Sequence, residues 1–278
     1  MKDKQHNQLM IHNGTLVEQG QVQVPLEVYY EVMKVKHCVI MFKEYHLKRL
    51  MISLENLYPI EKFFFQDCET LLTEMGCLEM NIRYSVFCDH SGWHRIVQYI
   101  PASYPTDQMY AKGVKTKTRL FNREAPNKKV MTEGLLNMRN DIDREEVYDF
   151  LCYDEHMQLL EGTKTNVFFI VDGIIYTAPD HKVLGGITRK VICEVLEENG
   201  ALGANDNILN TMNLGFKYEA LPLSLLGKVT AAFLTGTSIG VLPISQIDNY
   251  ELQTVEFSAL QALMAMYRDI ESRYISSN

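Results

Sequence analysis

Two apolar runs, Val167 to Val171 and Ile174 to Thr177, are separated only by Asp172-Gly173. That spacing dictates a tight β-hairpin, because a two-residue connection needs positive φ at its central positions and Asp-Gly supplies it. Ahead of the hairpin stands Glu161-Gly162-Thr163-Lys164-Thr165-Asn166. Behind it, Gly186-Ile187-Thr188-Arg189 opens an amphipathic run of Val191, Ile192, Val195 and Leu196 that stops at Asn199-Gly200. A helix is therefore expected to begin near Thr188 and to end on the glycine. Its first amides have no intrahelical partners and carry the positive end of the dipole, so they can hold a phosphate with the Thr188 hydroxyl in support. Glu161 adds an anion a hairpin's length away. Together they suit a ligand with a phosphate at one end and a protonated heterocyclic nitrogen at the other, a description that pyridoxal 5′-phosphate meets.

At 278 residues the chain is long for one core and fits two domains sharing a cleft. Its formal charge of −8 argues against a nucleic-acid partner, which would call for a basic footprint. No apolar run approaches the roughly eighteen residues of a membrane span. The stretch Met1-Lys2-Asp3-Lys4-Gln5-His6 is polar and lacks the apolar segment of a secretory signal, so a soluble, cytoplasmic protein is expected. Six cysteines, at positions 38, 68, 77, 88, 152 and 193, include no Cys-x-x-Cys pair and are read as reduced thiols, most of them buried. His90 and His94 have the spacing of a helical metal pair, but Ser91-Gly92 between them marks a turn, so no metal is expected. Gly227-Lys228 lacks the Ser/Thr and the first glycine of a phosphate loop.

The first part of the chain alternates strands with two helices. Val28 to Val35 and Val39 to Phe42 read as strands, followed by a helix from Tyr45 to Leu57. A second helix starts at Pro59, turns Ile60, Phe64, Cys68, Leu71 and Met75 inward and ends at Gly76. Met80 to Phe87 and Ile96 to Ile100 return as strands, and the turn-rich Pro101 to Gly113 leads into a linker. This gives a small α+β domain over 1–112 and a mostly stranded domain with inserted helices over 113–278. The last helix is expected to place Leu252, Val255, Ala259, Leu263, Met266 and Ile270 on one packing face.

His46-Leu47-Lys48-Arg49-Leu50, Asn127-Lys128-Lys129, Glu161-Gly162 with Asn166-Val167-Phe168, Gly186-Ile187-Thr188-Arg189, and Thr235-Gly236-Thr237-Ser238 with Pro243-Ile244 follow one another in the chain. In that order they resemble the class IV pyridoxal-phosphate aminotransferases, which include branched-chain aminotransferase, D-amino-acid aminotransferase and aminodeoxychorismate lyase. The resemblance spans residues 30 to 245. It implies fold type IV: a two-domain α+β protein with a small N-terminal α/β sandwich and a larger C-terminal β-barrel-like domain with helices. It also implies a homodimer, pyridoxal 5′-phosphate held between the two domains, and an amino acid and a 2-oxo acid as small-molecule substrates.

Lys129 carries the enzyme reading. On residue type alone it would be a solvated surface lysine. In the family, the Schiff-base lysine lies about thirty residues ahead of the glutamate; Lys129 precedes Glu161 by thirty-two and ends an Arg123-x-x-Pro126-Asn127-x-Lys129 pattern. Lys128 competes with it, but neighbouring side chains of a strand point to opposite faces, so only one of the two can meet the cofactor. Spacing favours Lys129. A primary amine is required because it forms an imine with the cofactor aldehyde, exchanges it for the substrate's amine and is then released as a base. The resemblance further implies that Glu161 accepts a hydrogen bond from the pyridine nitrogen and that Asn166, Gly186, Ile187, Thr188, Thr235, Gly236 and Thr237 line the cofactor. Arg49 would grip the phosphate with its planar fork, which a lysine cannot match. Without the resemblance, Arg49 would read as a helix-surface salt bridge, Glu161 as a strand-end carboxylate and Thr235-Gly236-Thr237 as an ordinary turn.

The departures from the family are Leu160, Lys164, Thr132 and the Gln19-Gly20-Gln21-Val22-Gln23-Val24-Pro25 approach to Tyr30-Glu31, which leaves the substrate unassigned. Tyr30, Arg83 and Arg95 are candidates for its carboxylate. The expected reaction is amino-group transfer through a Lys129 Schiff base. Aminodeoxychorismate lyase chemistry, which eliminates pyruvate, is the alternative, and a non-catalytic relative that keeps only the fold is a second.

Overall fold

The structure, a computed structural model, describes residues 9–101, 104–201 and 214–278, the last four residues of the second stretch by backbone alone. The polar stretch Met1 to His6 lies outside the described residues. The chain forms two compact units: Met1–Ser103 with Lys128–Gly134 and Glu271–Asn278, and Tyr104–Asn127 with Leu135–Ile270. The units are thus not consecutive in sequence. Residues 128–131 return to the first because Tyr30 N–H donates to Lys129 O at 3.1 Å, Met131 N–H donates to Val28 O at 3.3 Å, and Val130 bridges Tyr29.

In the first unit, β1 (Leu9–His12), β2 (Thr15–Glu18), β3 (Tyr29–Lys36), β4 (Val39–Ile40), β5 (Asn81–Asp89) and β6 (Gly92–Ile100) form a sheet in the order β2-β1-β6-β5-β3-β4. Successive side chains alternate between its faces. Ile11, Met33, Tyr84, Val86 and Val97 face a core shared with α1 (Lys43–Leu54) and α2 (Phe64–Met75), while Met10, Phe87 and Ile96 join a smaller cluster. The first helix stops at Leu54 rather than at Leu57, because Glu55 and Asn56 both adopt left-handed φ, 50° and 60°. Past Pro59 comes a single 3-10 turn, Ile60–Lys62, before α2 begins; α2 ends at Gly76, as the glycine implies.

The second unit contains α3 (Asp107–Lys112), β7 (Val114–Leu120), α4 (Glu133–Arg144, from Leu135 onward), β8 (Asp149–Tyr153), β9 (Gln158–Gly162), β10 (Asn166–Val171), β11 (Ile174–Thr177) and α5 (Ile187–Ala201). It continues with β12 (Gly215–Tyr218), β13 (Leu221–Pro222), β14 (Ala231–Gly236), β15 (Gly240–Ile247), β16 (Tyr250–Glu251) and most of α6 (Ser258–Ser277). Strands β10-β14-β15-β7-β8-β9 form a ring that closes where Glu161 pairs with Asn166. Val167, Phe169, Leu151, Leu234 and Leu242 fill one face, and Phe168 stacks on Phe233 from the other, centroids 4.8 Å apart. The two-domain α+β architecture with a barrel-like second domain is therefore present. The Asp172-Gly173 hairpin is also present, with φ of 49° and 73°.

Three further expectations fail. The helix from Ile187 runs through Gly200 to Ala201 instead of ending on the glycine. The last helix begins at Ser258, so Leu252 lies outside it, donating its N–H to Ser245 O. The buried face is Ala259, Leu260, Leu263, Met264 and Tyr267, a register reset by the 3-10 turn Thr254–Glu256. Not all cysteines are thiols: Cys38, in the β3–β4 turn, and Cys77, just past α2, form a disulfide with Cα atoms 5.1 Å apart, within bridging range. Thiol titration in denaturant without reductant should find the four cysteines Cys68, Cys88, Cys152 and Cys193, and six after reduction. Six at the outset would remove the bridge.

Candidate active site

In the second unit the candidate residues form a row across the sheet. Glu161 on β9 pairs with Asn166 on β10, which pairs with Thr235 on β14. All three are buried. Glu161 Oε2 accepts from Asn166 Nδ2 and from Leu184 N–H, each at 3.1 Å, and Asn166 Nδ2 also donates to Leu184 O at 2.9 Å. Arg123 Nε stands 3.2 Å from Glu161 Oε1, off hydrogen-bond alignment. A buried carboxylate stays ionised only when such donors and charges replace water.

The same residues place the start of α5. A Cβ on Gly186 would collide with Asn166 Oδ1, so only glycine allows the turn to lie against the Asn166 amide. Lys190 N–H closes the first helical turn on Gly186 O at 2.9 Å, and Ile187 and Thr188 are buried beside it. Thr188 Oγ1 lies 3.3 Å from Tyr267 Oη. Tyr267 also covers Gly240, whose strand partner is Gly236, so one tyrosine links the helix start to the Thr235-Gly236-Thr237 turn. Thr235 Oγ1 is buried with no hydrogen-bond partner among the described residues, and Thr237 is half-buried. Gly236 is not sterically required, since a Cβ there would meet only ordinary contacts. Arg189 turns away to Asp180, Ala178 O and Thr177.

Behind the row, Asp149 organises the turn between β9 and β10. Its Oδ1 accepts from Phe150 N–H, Thr163 N–H and Thr163 Oγ1, and its Oδ2 from Thr165 Oγ1 and, at 3.4 Å, Lys164 N–H. Gly162 is required here, because a Cβ would overlap Thr165 Oγ1 and Asp149 Oδ2.

In the first unit the adjacent lysines have different partners, although neither lies in a strand and only Val130 after them bridges Tyr29. Lys128 Nζ pairs with Glu55 at 2.9 Å, whereas Lys129 Nζ lies 4.9 Å from the centre of the Tyr30 ring, over which Arg83 is also placed. Lys129 N–H donates to Ser53 Oγ at 3.0 Å. Arg49 is not a surface residue. It is buried and bound through Nε and Nη2 to Glu31, which is fully enclosed and also faces His46 Nδ1 at 2.7 Å. Burial opposes ionisation of Glu31, but Arg49 and His46 outweigh it and pull its pKa down to about 2. Arg95 is withdrawn from the substrate candidates: it is held by Asp67 at 2.8 Å and stacked on Phe63 in the core of this unit. His94 bonds Asp89, Ser91 and His12, and no metal-binding group of His, Cys, Asp or Glu occurs among the described residues.

The description Amino-transferase class IV matches residues 29–247. A probable branched-chain-amino-acid aminotransferase of Rickettsia conorii is 36% identical over 221 residues, covering 73% of this chain and 71% of its own. The chain belongs to the class IV aminotransferase family. A D-alanine aminotransferase of Staphylococcus epidermidis is 33% identical over a shorter stretch of 94 residues, 34% of this chain and 29% of its own. The fold is shared with the branched-chain amino acid aminotransferase of Escherichia coli, at a TM-score of 0.75 and 17% identity over 95% of this chain and 94% of that one. Class IV membership makes this a pyridoxal-phosphate-dependent aminotransferase at the level of the family. No described helix is long and apolar enough to cross a membrane.

Within this class IV chain, Tyr267, Asp149, Glu31 and Ser53 were not singled out from sequence; a charged residue amid the apolar alternation of β3 was the one available signal, at Glu31. The Gly186 contact gives a test. Gly186→Ala should displace the Asn166 amide and lower stability by about 1–3 kcal/mol, measured by denaturant unfolding; an unchanged midpoint would contradict the packing described.

Proposed function

We propose that this enzyme transfers an amino group between an amino acid and a 2-oxo acid, with Lys129 as the residue that joins the cofactor, and that it acts as a homodimer. The observation that carries the reading is the separation of the two lysines: Lys128 is committed to Glu55, while Lys129 lies over Tyr30 with its backbone held by Ser53. The other residues suit a phosphorylated, cationic ring. Glu161 is a buried carboxylate held in one orientation, Gly186 leaves room at a helix start, and Thr235 keeps a buried hydroxyl without a hydrogen-bond partner among the described residues.

When bound, pyridoxal 5′-phosphate supplies an aldehyde carbon that accepts amines and a protonated ring that withdraws electrons from the substrate's α-carbon. Glu161 would hold the proton on the ring nitrogen. In the second unit the amides of Ile187 and Thr188, the Thr188 and Thr235 hydroxyls and the Thr235-Gly236-Thr237 turn would hold the phosphate, and the Arg49 guanidinium of the first unit would serve as a further phosphate ligand. Lys129 Nζ would serve as the base that takes the substrate's α-proton and returns it at the C4′ atom.

Borohydride reduction of the cofactor-loaded protein and peptide mapping should place the label on Lys129, and Lys129→Ala should lower turnover by at least roughly 10²-fold. Lys128→Ala should keep both label and turnover. A label on Lys128, or none, would remove the assignment.

A further inference from the structure

The unit that carries Lys129 also encloses an ionic triad to which the chemistry above gives only one task, the phosphate contact of Arg49. Glu31 and His46 are fully buried and Arg49 nearly so. Arg49 donates through Nε to Glu31 Oε1 at 2.8 Å and through Nη2 to Oε2 at 2.5 Å, an edge-on fork that fixes the guanidinium plane. His46 Nδ1 completes Oε2 at 2.7 Å. With Glu31 ionised, Nδ1 is the donor and Nε2, buried without a hydrogen-bond partner among the described residues, bears the lone pair. Burial lowers the His46 pKa against the pull of Glu31, so the imidazole is a neutral donor and the triad carries one anion and one cation.

Such a group is weak grounds for stability, since a buried ion pair often gives no more than well-packed apolar residues of the same volume. What it provides is direction. An arginine side chain has several rotatable bonds, and the Glu31 contacts through Nε and Nη2 remove that freedom. His46, Arg49 and Ser53 share one face of α1, so the element that orients Arg49 also holds the backbone of Lys129.

We propose that Glu31, itself oriented by His46, is a positioning residue that aims Arg49 at the cofactor phosphate and thereby sets the preference for phosphorylated over unphosphorylated cofactor. This rests on the reading of Arg49 as a phosphate ligand. Without Glu31 the guanidinium keeps its charge and loses its aim, so the penalty falls on the phosphate and not on the ring.

The test is the ratio of pyridoxal 5′-phosphate to pyridoxal affinity for the full cofactor-free chain, read by fluorescence quenching, with inorganic phosphate as competitor. Glu31→Gln should lower the ratio at least about tenfold by weakening pyridoxal 5′-phosphate and inorganic phosphate while pyridoxal affinity holds, and Glu31→Asp should restore part of it. An unchanged ratio, or an equal loss for both ligands, overturns the proposal. Should Glu31→Gln fail to fold, His46→Ala removes one of the two partners of Glu31 and should shift the ratio in the same direction by about threefold; no shift overturns it equally. Arg49→Met separates the two readings. If it leaves the ratio untouched, Arg49 has no phosphate role and both fall; if it collapses the ratio while Glu31→Gln does not, only the positioning proposal falls.

Discussion

A carboxylate at the seam of a closed sheet costs several kcal/mol unless donors replace the water it loses. Glu161 meets that demand with the Asn166 amide and the Leu184 N–H, and with the Arg123 charge beside its other oxygen. The Asn166 amide has two N–H groups and one carbonyl, and uses both ends: it donates to Glu161 and Leu184, while its carbonyl occupies the space a Gly186 side chain would need. Closure of the β10-β9 seam, the orientation of Glu161 and the position of the α5 N-terminus are therefore one constraint and not three. Asp149 extends it by holding the intervening turn through its hydroxyls and amides.

A comparable economy operates in the first unit. The segment 128–131, held beside β3 by the Tyr30–Lys129 and Met131–Val28 hydrogen bonds and the Tyr29–Val130 bridge, gives its two adjacent lysines different surroundings. Lys128 reaches solvent and Glu55; Lys129 reaches an aromatic ring shared with Arg83. The polar face of α1 supports this arrangement with Ser53 at one end and the Glu31–His46–Arg49 triad at the other.

What could be read from sequence was what depends on neighbouring residues. Asp172-Gly173 names its hairpin because the positive φ is a local property, and Gly186-Ile187-Thr188 marks a helix start through its own turn chemistry. Family resemblance supplied the order of the motifs, and the structure adds packing reasons for Gly162 and Gly186 in particular. Features made by distant chain segments stayed hidden. Cys38 and Cys77 are 39 residues apart, Glu31 gains meaning only when α1 packs on β3, and Tyr267 reaches Thr188 only because the register of α6 is reset by the turn before it. Gly200 shows the opposite error: a local stop signal overridden, since the helix continues past it.

Whether amino groups pass through the cofactor is decided by a stopped half-reaction, in which the cofactor-loaded protein is mixed with amino acids one at a time and its visible spectrum followed. At least one amino acid should convert the aldehyde-form absorbance to that of the amine form, and a stoichiometric 2-oxo acid should restore it. Spectra that no amino acid changes, or pyruvate release without any amine form, would contradict amino-group transfer.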